Sequence, residues 1–384
     1  MRCCLRHAVS LVAAAALTLA PFVAAAGGGA ETDPYDDVPA PARWWLGGLG
    51  DFYVLHNFNS PASGTNQLRQ FDLHSDVASV GLVRVTLACK PRRIGFRIDT
   101  AFGDTADAFY AQDPEAAQHP DVARWFSHVE QAFVSVVVPA ARPIAVDVGK
   151  LNTPVGLEDN EAPTNWSYSR GLLFAFAEPT LHTGVRVTVA PAPTVGVSLY
   201  WVNGWNANFL DGSDLRTWAA ALTWRPRAGL EIVLVYIGGW EHPPSLLADP
   251  HLTLRNLGDG YAVWTPLRWL SVAASGDYGD DRARGGVSFW GVAGYALARP
   301  TAWSWIAVRG EYLGDPDGFA TGTRQSVTEE TVTAALQGHL ERLALGARFE
   351  YRHDSSSAFV FERFTQPAGA RDQHTLTLAL LVGF

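Results

Sequence analysis

The chain has 384 residues, a formal net charge of −9 and three cysteines. Cys3 and Cys4 sit at the extreme N-terminus and leave Cys89 alone in the body of the chain, which excludes a disulfide framework. An acidic chain with no basic stripe is also a poor partner for nucleic acid.

Arg2 and Arg6, the apolar run Val9–Ala20 and the triplet Ala24-Ala25-Ala26 read as a secretory signal peptide, residues 1–26, cut near Ala26. A membrane anchor is the alternative, but the apolar stretch is short, and no later segment approaches the roughly 18 continuous apolar residues of a spanning helix. Cleavage would remove two arginines and no acid, taking the net charge to about −11. Residues 27–42 read as a flexible lead-in. Residues 43–384 show no break in composition and are large for one soluble core.

From Arg43 onward one unit repeats, about ten alternating residues and then a connection. The expected strands are 44–57, 70–88, 93–103, 128–138, 143–150, 181–190, 194–203 and 215–225 in the first half. The second half adds 229–238, 257–264, 268–278, 286–297, 303–313, 327–339, 342–353 and 373–384. That makes sixteen, with fourteen or eighteen left open by boundary error. Short links such as Lys90-Pro91-Arg92 and Pro191-Ala192-Pro193 alternate with long ones such as 104–127 and 151–180. Short turns on one rim and long loops on the other is the layout of an outer-membrane barrel, whereas a soluble sandwich has no reason to keep that parity. The fold expected is all-β, a transmembrane antiparallel up-and-down β-barrel with short periplasmic turns and long extracellular loops.

Charges inside strands identify the wet face, because Arg or Lys facing lipid near the midplane costs about 2–4 kcal/mol. In LALGARFEYRH, Leu343, Leu345, Ala347, Phe349 and Tyr351 share one face; Arg348, Glu350 and Arg352 share the other. Ile94, Phe96, Ile98 and Phe102 likewise oppose Arg93, Arg97 and Asp99, while Ile306, Val308 and Tyr312 oppose Arg309 and Glu311. The strands around Val136, Val235 and Ala220 do not alternate, and their facing stays open. Lys90, Arg92, Arg142, Arg227 and Arg299 occupy short turns. The long loops carry Asp104, Asp107, Asp113, Asp211, Asp214, Asp249, Asp280, Asp281, Asp315 and Asp317, which suggests an acidic outer vestibule.

Between Ile144 and Val189 a strand, about thirty irregular residues and a second strand follow one another. A connection of that length is usually functional or disordered. Trp166, Tyr168, Leu172, Leu173, Phe174 and Phe176 argue for a packed loop folded into the barrel, over about 151–180. The last strand, HTLTLALLVGF, ends on Phe384; a terminal aromatic on an amphipathic strand resembles the signal read by barrel-assembly machinery.

GKLNTPVGLE, NWSYSRGLLF, EPTLHTGVR and VNGWN, with GDFYVLHNFNSP and IGFRIDTAFGD upstream, resemble the OmpL-like β-barrel porins of Gram-negative bacteria. The positions carrying the likeness are Gly149, Asn152, Pro154, Gly156, Glu158, Asn165, Ser169, Arg170, His182 and Gly184. The resemblance implies a passive outer-membrane pore for small hydrophilic solutes, with no catalytic residue and no cofactor; it leaves the solute undefined.

Selectivity would then come from charges at a constriction. The candidates are Glu158, Asp159, Glu161 and Arg170 on the loop, with His182, Arg97, Asp99, Asp147, Arg186, Arg309, Glu311, Arg348, Glu350 and Arg352 on the wall. The competing structural reading is that Arg348–Glu350 and Arg309–Glu311 only neutralise each other. Mixed charge implies modest selectivity, tilted toward cations by the acidic loops. Trp166, Tyr168, Trp201 and Trp205 could form a sugar slide, although interface girdles account for most such aromatics. A barrel enzyme using His182, His339, His353 or His374 lacks any telling spacing. A plugged adhesin barrel is a third class. Asp211-Gly212-Ser213-Asp214 reads as a turn and not a calcium loop. Oligomeric state is not legible.

Overall fold

The computed structural model describes residues 34–35, 38, 42–208, 216–241, 253–282, 286–364 and 366–384. The expected signal peptide, Asp249 and the Asp211–Asp214 turn lie outside them. The first eight strands are β1 (Trp44–Asn57), β2 (Ala78–Cys89), β3 (Ile94–Thr100), β4 (Val129–Val138), β5 (Ile144–Asn152), β6 (Leu181–Ala192), β7 (Val195–Val202) and β8 (Thr217–Arg227). The next seven are β9 (Leu230–Glu241), β10 (Thr253–Leu267), β11 (Leu270–Asp281), β12 (Val287–Thr301), β13 (Ser304–Asp315), β14 (Gln325–Leu340) and β15 (Leu343–Ser356). A small hairpin, β16 (Phe361–Arg363) and β17 (Gln366–Ala370), stands in the last long loop before β18 (Asp372–Gly383).

Apart from that hairpin, each strand pairs antiparallel with its sequence neighbours, and β18 returns to β1 with Val54 opposite Leu378. The result is a closed sixteen-stranded barrel, as expected from the alternation. Closure leaves no edge, so every strand N–H and C=O can be satisfied within the sheet even in lipid. The parity of connections holds: 193–194, 228–229, 268–269, 302–303 and 341–342 are tight turns, whereas 58–77, 101–128 and 153–180 are long.

Two boundaries differ from the sequence reading. β2 begins at Ala78 and not at residue 70, because Arg69 is held by Asp72 at 2.6 Å and Asp354 at 3.0 Å, and Asp76 turns the chain at φ 61°. The 101–128 loop contains helices α1 (Asp104–Gln112) and α2 (Pro120–Ser127). Asp104 and Asp107 complement the N-terminal dipole of α1, and Pro120 opens α2 with its fixed φ.

The outer face is the apolar one. Phe349, Tyr351, Ile306, Val308, Leu378 and Leu380 are exposed, whereas Arg348, Glu350, Arg352, Arg309 and Glu311 are buried on the inside. In β7–β9 alternation fails for a specific reason. Tyr200, Val202, Ala219, Ala221, Val233 and Val235 face inward into the same core as the loop, while Leu199, Trp201, Leu222, Leu234 and Tyr236 face outward. Both faces are apolar there, so no period of two appears. Trp218 and Trp224 bracket the outer face of β8, about 20 Å apart at a rise of about 3.3 Å per residue, which matches two interfacial girdles.

The described residues of the lead-in are not free. Tyr35 is buried against inward Phe133 at 6.2 Å between ring centres, and its hydroxyl lies 2.8 Å from Ser135 Oγ. Val38 joins the same core.

Leu234 is 54 % exposed on the outer face. Leu234→Arg is expected to lose about 2–4 kcal/mol more than Leu234→Ala when folding into lipid vesicles is titrated with urea. Equal losses would mean that this face does not meet lipid.

Candidate functional site

The loop 153–180 leaves β5 and enters β6 within the barrel. Pro154 and Pro163 cannot continue a sheet, and Gly156 adopts φ 91°, so the chain turns inward at once. A helical turn at Ala162–Thr164 and a wide π-turn at Leu173–Ala177 then expose two different faces. On one, Val155, Leu157, Trp166, Leu172 and Leu173 pack with the inward Leu257, Tyr295 and Trp305.

The other face is fastened by charge to β13–β15. Glu350 accepts the backbone N–H groups of Tyr168 at 2.5 Å and Ser169 at 3.0 Å. Glu311 accepts the Leu172 N–H and the Tyr295 hydroxyl. Gly171 has no side chain because a Cβ there would overlap the Glu311 carboxylate. Arg309 reaches Glu158 at 2.6 Å, Glu329 at 3.1 Å and the Ser169 carbonyl at 2.7 Å. Arg348 donates to the Ser167 carbonyl at 2.8 Å, and Arg352 to that of Arg170 at 2.5 Å while pairing with Asp354 at 2.8 Å. Charge-assisted bonds to backbone groups are the strong kind. Neither Arg348–Glu350 nor Arg309–Glu311 closes on itself: each of these four side chains is directed to the loop.

Within the loop, Arg170 donates to the carbonyls of Tyr168, Asp159 and Asn160 and lies 4.8 Å above the Phe71 ring. Asp159 accepts the Asn160 N–H at 2.6 Å; burial raises its carboxyl above the usual range, opposed by that bond and by Arg84 and Arg170. Glu161 pairs with Arg84 of β2. Tyr168 anchors the far side through its hydroxyl to Asp51 at 3.0 Å.

The remaining wall candidates form a second group, away from the loop's tip. Arg97 pairs with Asp99 at 2.5 Å and donates to the Pro34 carbonyl, while Asp147 joins Arg186 at 2.9 Å and Ser135. This group meets the N-terminal segment through the Pro34 carbonyl on Arg97 and through Ser135, which both Asp147 and Tyr35 contact. His182 stands apart at the loop's exit, between Thr153 Oγ1 and the Gly204 carbonyl, both at 3.3 Å.

Several participants escape the sequence reading. Glu329, Asp354, Asp259 and Asp277 are acids inside strands, and the test applied to residues 348–352 would have found them. Some vestibule acids are internal: Asp104 accepts the Tyr53 hydroxyl at 2.5 Å, Asp281 pairs with Arg255, and Asp315 caps its own turn through the N–H groups of Phe319 and Thr321. Trp201 stands on the outer face and cannot join a lumenal slide. His353 and His374 stack at 4.3 Å on that outer face, paired with Glu330 and the Tyr351 hydroxyl.

Residues 45–384 match the family described as "Putative beta-barrel porin-2, OmpL-like". The chain belongs to this OmpL-like porin family. No curated protein is similar in sequence at a significant level. Among solved structures, the anion-selective porin of Comamonas acidovorans is similar at TM-score 0.57 and 10% identity, over 89% of this chain and 99% of that one. The outer-membrane channel DcaP of Acinetobacter baumannii gives 0.57 and 11%, over 89% and 97%. OmpT, an outer membrane protein of Vibrio cholerae, gives 0.56 and 8%, over 89% and 97%. At these identities the likeness establishes the barrel fold that the OmpL-like family chain shares with outer-membrane porins.

Proposed function

We propose that the protein is a porin of the Gram-negative outer membrane, passing small hydrophilic solutes or ions by diffusion, with loop 153–180 setting its narrowest section. The observation that carries this reading is a porin-family barrel whose third long loop is docked on the inner wall by Arg309, Glu311, Arg348, Glu350 and Arg352. Export by the signal peptide and assembly through β18 and Phe384 belong to the same reading, as does the absence of any catalytic role for the histidines. Glu158, Glu161 and the wall charges then act on permeating ions through their field and not through direct exposure.

A second reading has support of its own. The charges at the loop's level are almost wholly shielded, and Tyr35 and Val38 also pack into the interior. A barrel closed at rest, conducting only when one of these segments moves, fits those facts.

Planar-bilayer recording separates the two, since a resting porin conducts steadily and a closed barrel conducts in rare bursts. In the Glu158→Gln/Glu161→Gln double variant, Arg309 keeps only Glu329 and Arg84 loses Glu161, so selectivity is expected to move toward anions. An unchanged reversal potential would remove both acids from the selectivity mechanism.

A further inference from the structure

One cluster of buried acids lacks the arginine partners found at the loop's other contacts. Glu158, Glu329 and Asp354 each face an arginine. Glu178, on the returning arm of the loop, and Asp259 and Asp277, on the wall, face none among the described residues. Asp259 and Asp277 are directly opposite each other in the β10–β11 register. Each of the three acids offers an oxygen, and these oxygens all lie within 4.8 Å of one another. All three residues are more than nine-tenths buried, at 7 %, 5 % and 5 % exposure.

A second observation points to a ligand. Glu178 Oε2, Asp259 Oδ1 and both carboxylate oxygens of Asp277 are buried and receive no N–H or hydroxyl donor, the two aspartates having only each other. A buried carboxylate left without donor or cation is strongly disfavoured; three converging ones reinforce the penalty through mutual repulsion. One step along the same inward face, Tyr261 and Ser275 form the next cross-strand pair, and their hydroxyl oxygens are unpartnered too. The surroundings are also built to hold this arrangement. Gly156 donates its N–H to the other Asp259 oxygen at 3.2 Å, and its positive φ and missing Cβ leave room for the Glu178 carboxylate.

We propose that Glu178, Asp259 and Asp277 bind a divalent, oxygen-preferring cation of the calcium or magnesium class, which clasps both arms of the loop to β10–β11. An all-carboxylate donor set with neighbouring hydroxyls suits a hard cation, and the absence of nitrogen or sulfur donors disfavours zinc or copper. Calcium fits better than magnesium, because it accepts irregular geometry and more oxygens. The site explains how the loop is secured at β10–β11, beyond the arginines: there, a mobile ion does the work that Arg309, Arg348 and Arg352 do on β13–β15. It stands independently of what the barrel conducts.

The test uses the full mature chain folded in detergent and stripped with EGTA. Calcium is expected to raise the thermal midpoint saturably, with magnesium weaker, and bound terbium should luminesce by transfer from nearby tyrosine and be displaced by calcium. Asp259→Asn/Asp277→Asn is expected to abolish the calcium response while unfolding no earlier than wild type in EGTA, because the repulsion has gone. Glu178→Gln, which leaves the wall intact, should lose terbium emission even if the double variant does not fold. Equal terbium emission in wild type and Glu178→Gln, or a calcium shift that survives the double variant, would overturn the site. So would a wild type indifferent to calcium, which would mean that the acids share protons instead.

Discussion

Arg309→Ala is expected to lower the unfolding free energy by about 3–5 kcal/mol, the scale set by breaking a buried ion pair from one side. Arg309 lies between Glu158 of the loop and Glu329 of β14, and its side chain is fully shielded from solvent. Its removal leaves the buried Glu158 carboxylate without its cation and the Ser169 carbonyl without its donor, while Arg352 still reaches Glu329 and the Ser169 hydroxyl. Lysine should not rescue it. A single ammonium cannot span Glu158, Glu329 and Ser169 with the planar fork that a guanidinium provides. The measurement is urea unfolding from lipid vesicles, followed by tryptophan emission. A loss below about 0.5 kcal/mol, the scale of surface substitutions, would mean that these charges are solvated and the loop is not docked as described.

Replacing residues 157–177 by a short Gly/Ser linker is expected to raise single-channel conductance several-fold. Barrels of sixteen strands leave an aqueous channel unless something fills them. Here Trp166, Leu172 and Leu173 pack with Tyr295 of β12 and Trp305 of β13, while Glu158 and the loop backbone bond to the charged side chains of β13–β15. The excision leaves the sheet itself untouched, because every strand pairing lies outside it. A conductance equal to that of the wild type would shift the constriction to Pro34 and Tyr35, which reach Arg97 and Ser135 from the N-terminal side. Removing that segment would then be the decisive second recording.

The two outcomes weigh different terms. Loss of Arg309 removes a contact whose partners remain buried, so stability should fall with conductance noise rising. Loss of the loop removes Glu158 and the loop carbonyls, and the wall arginines become free to meet water in the widened lumen. The excised barrel should therefore conduct more while losing less stability than its count of deleted hydrogen bonds suggests.

Strand existence was legible wherever one face met lipid and the other met charge. β3, β13, β15 and β18 show it: a strand that must suit hydrocarbon on one side repeats every second residue, whatever surrounds it. Legibility failed in β8 and β9 because Ala221 and Val235 face a loop core as apolar as the lipid outside. The 101–128 helices were signalled locally, by Pro120 at a first helical position and acids in the first turn of α1, but the long-loop reading passed over them.

From its residues alone, then, this protein is a cylinder of about sixteen strands, fourteen to eighteen, with one lipid face, a parity of turns and a long third loop rich in aromatics. Those follow from periods and lengths, which are local properties of a chain. Which charge meets which belongs to the tertiary structure. Arg309 and Glu158 are 151 positions apart in sequence, and Tyr35 and Ser135 are 100 apart; nothing in either neighbourhood points to the other. Only the closing of the barrel, which sets every strand's register at once and carries the loop across the lumen, brings them within bonding distance.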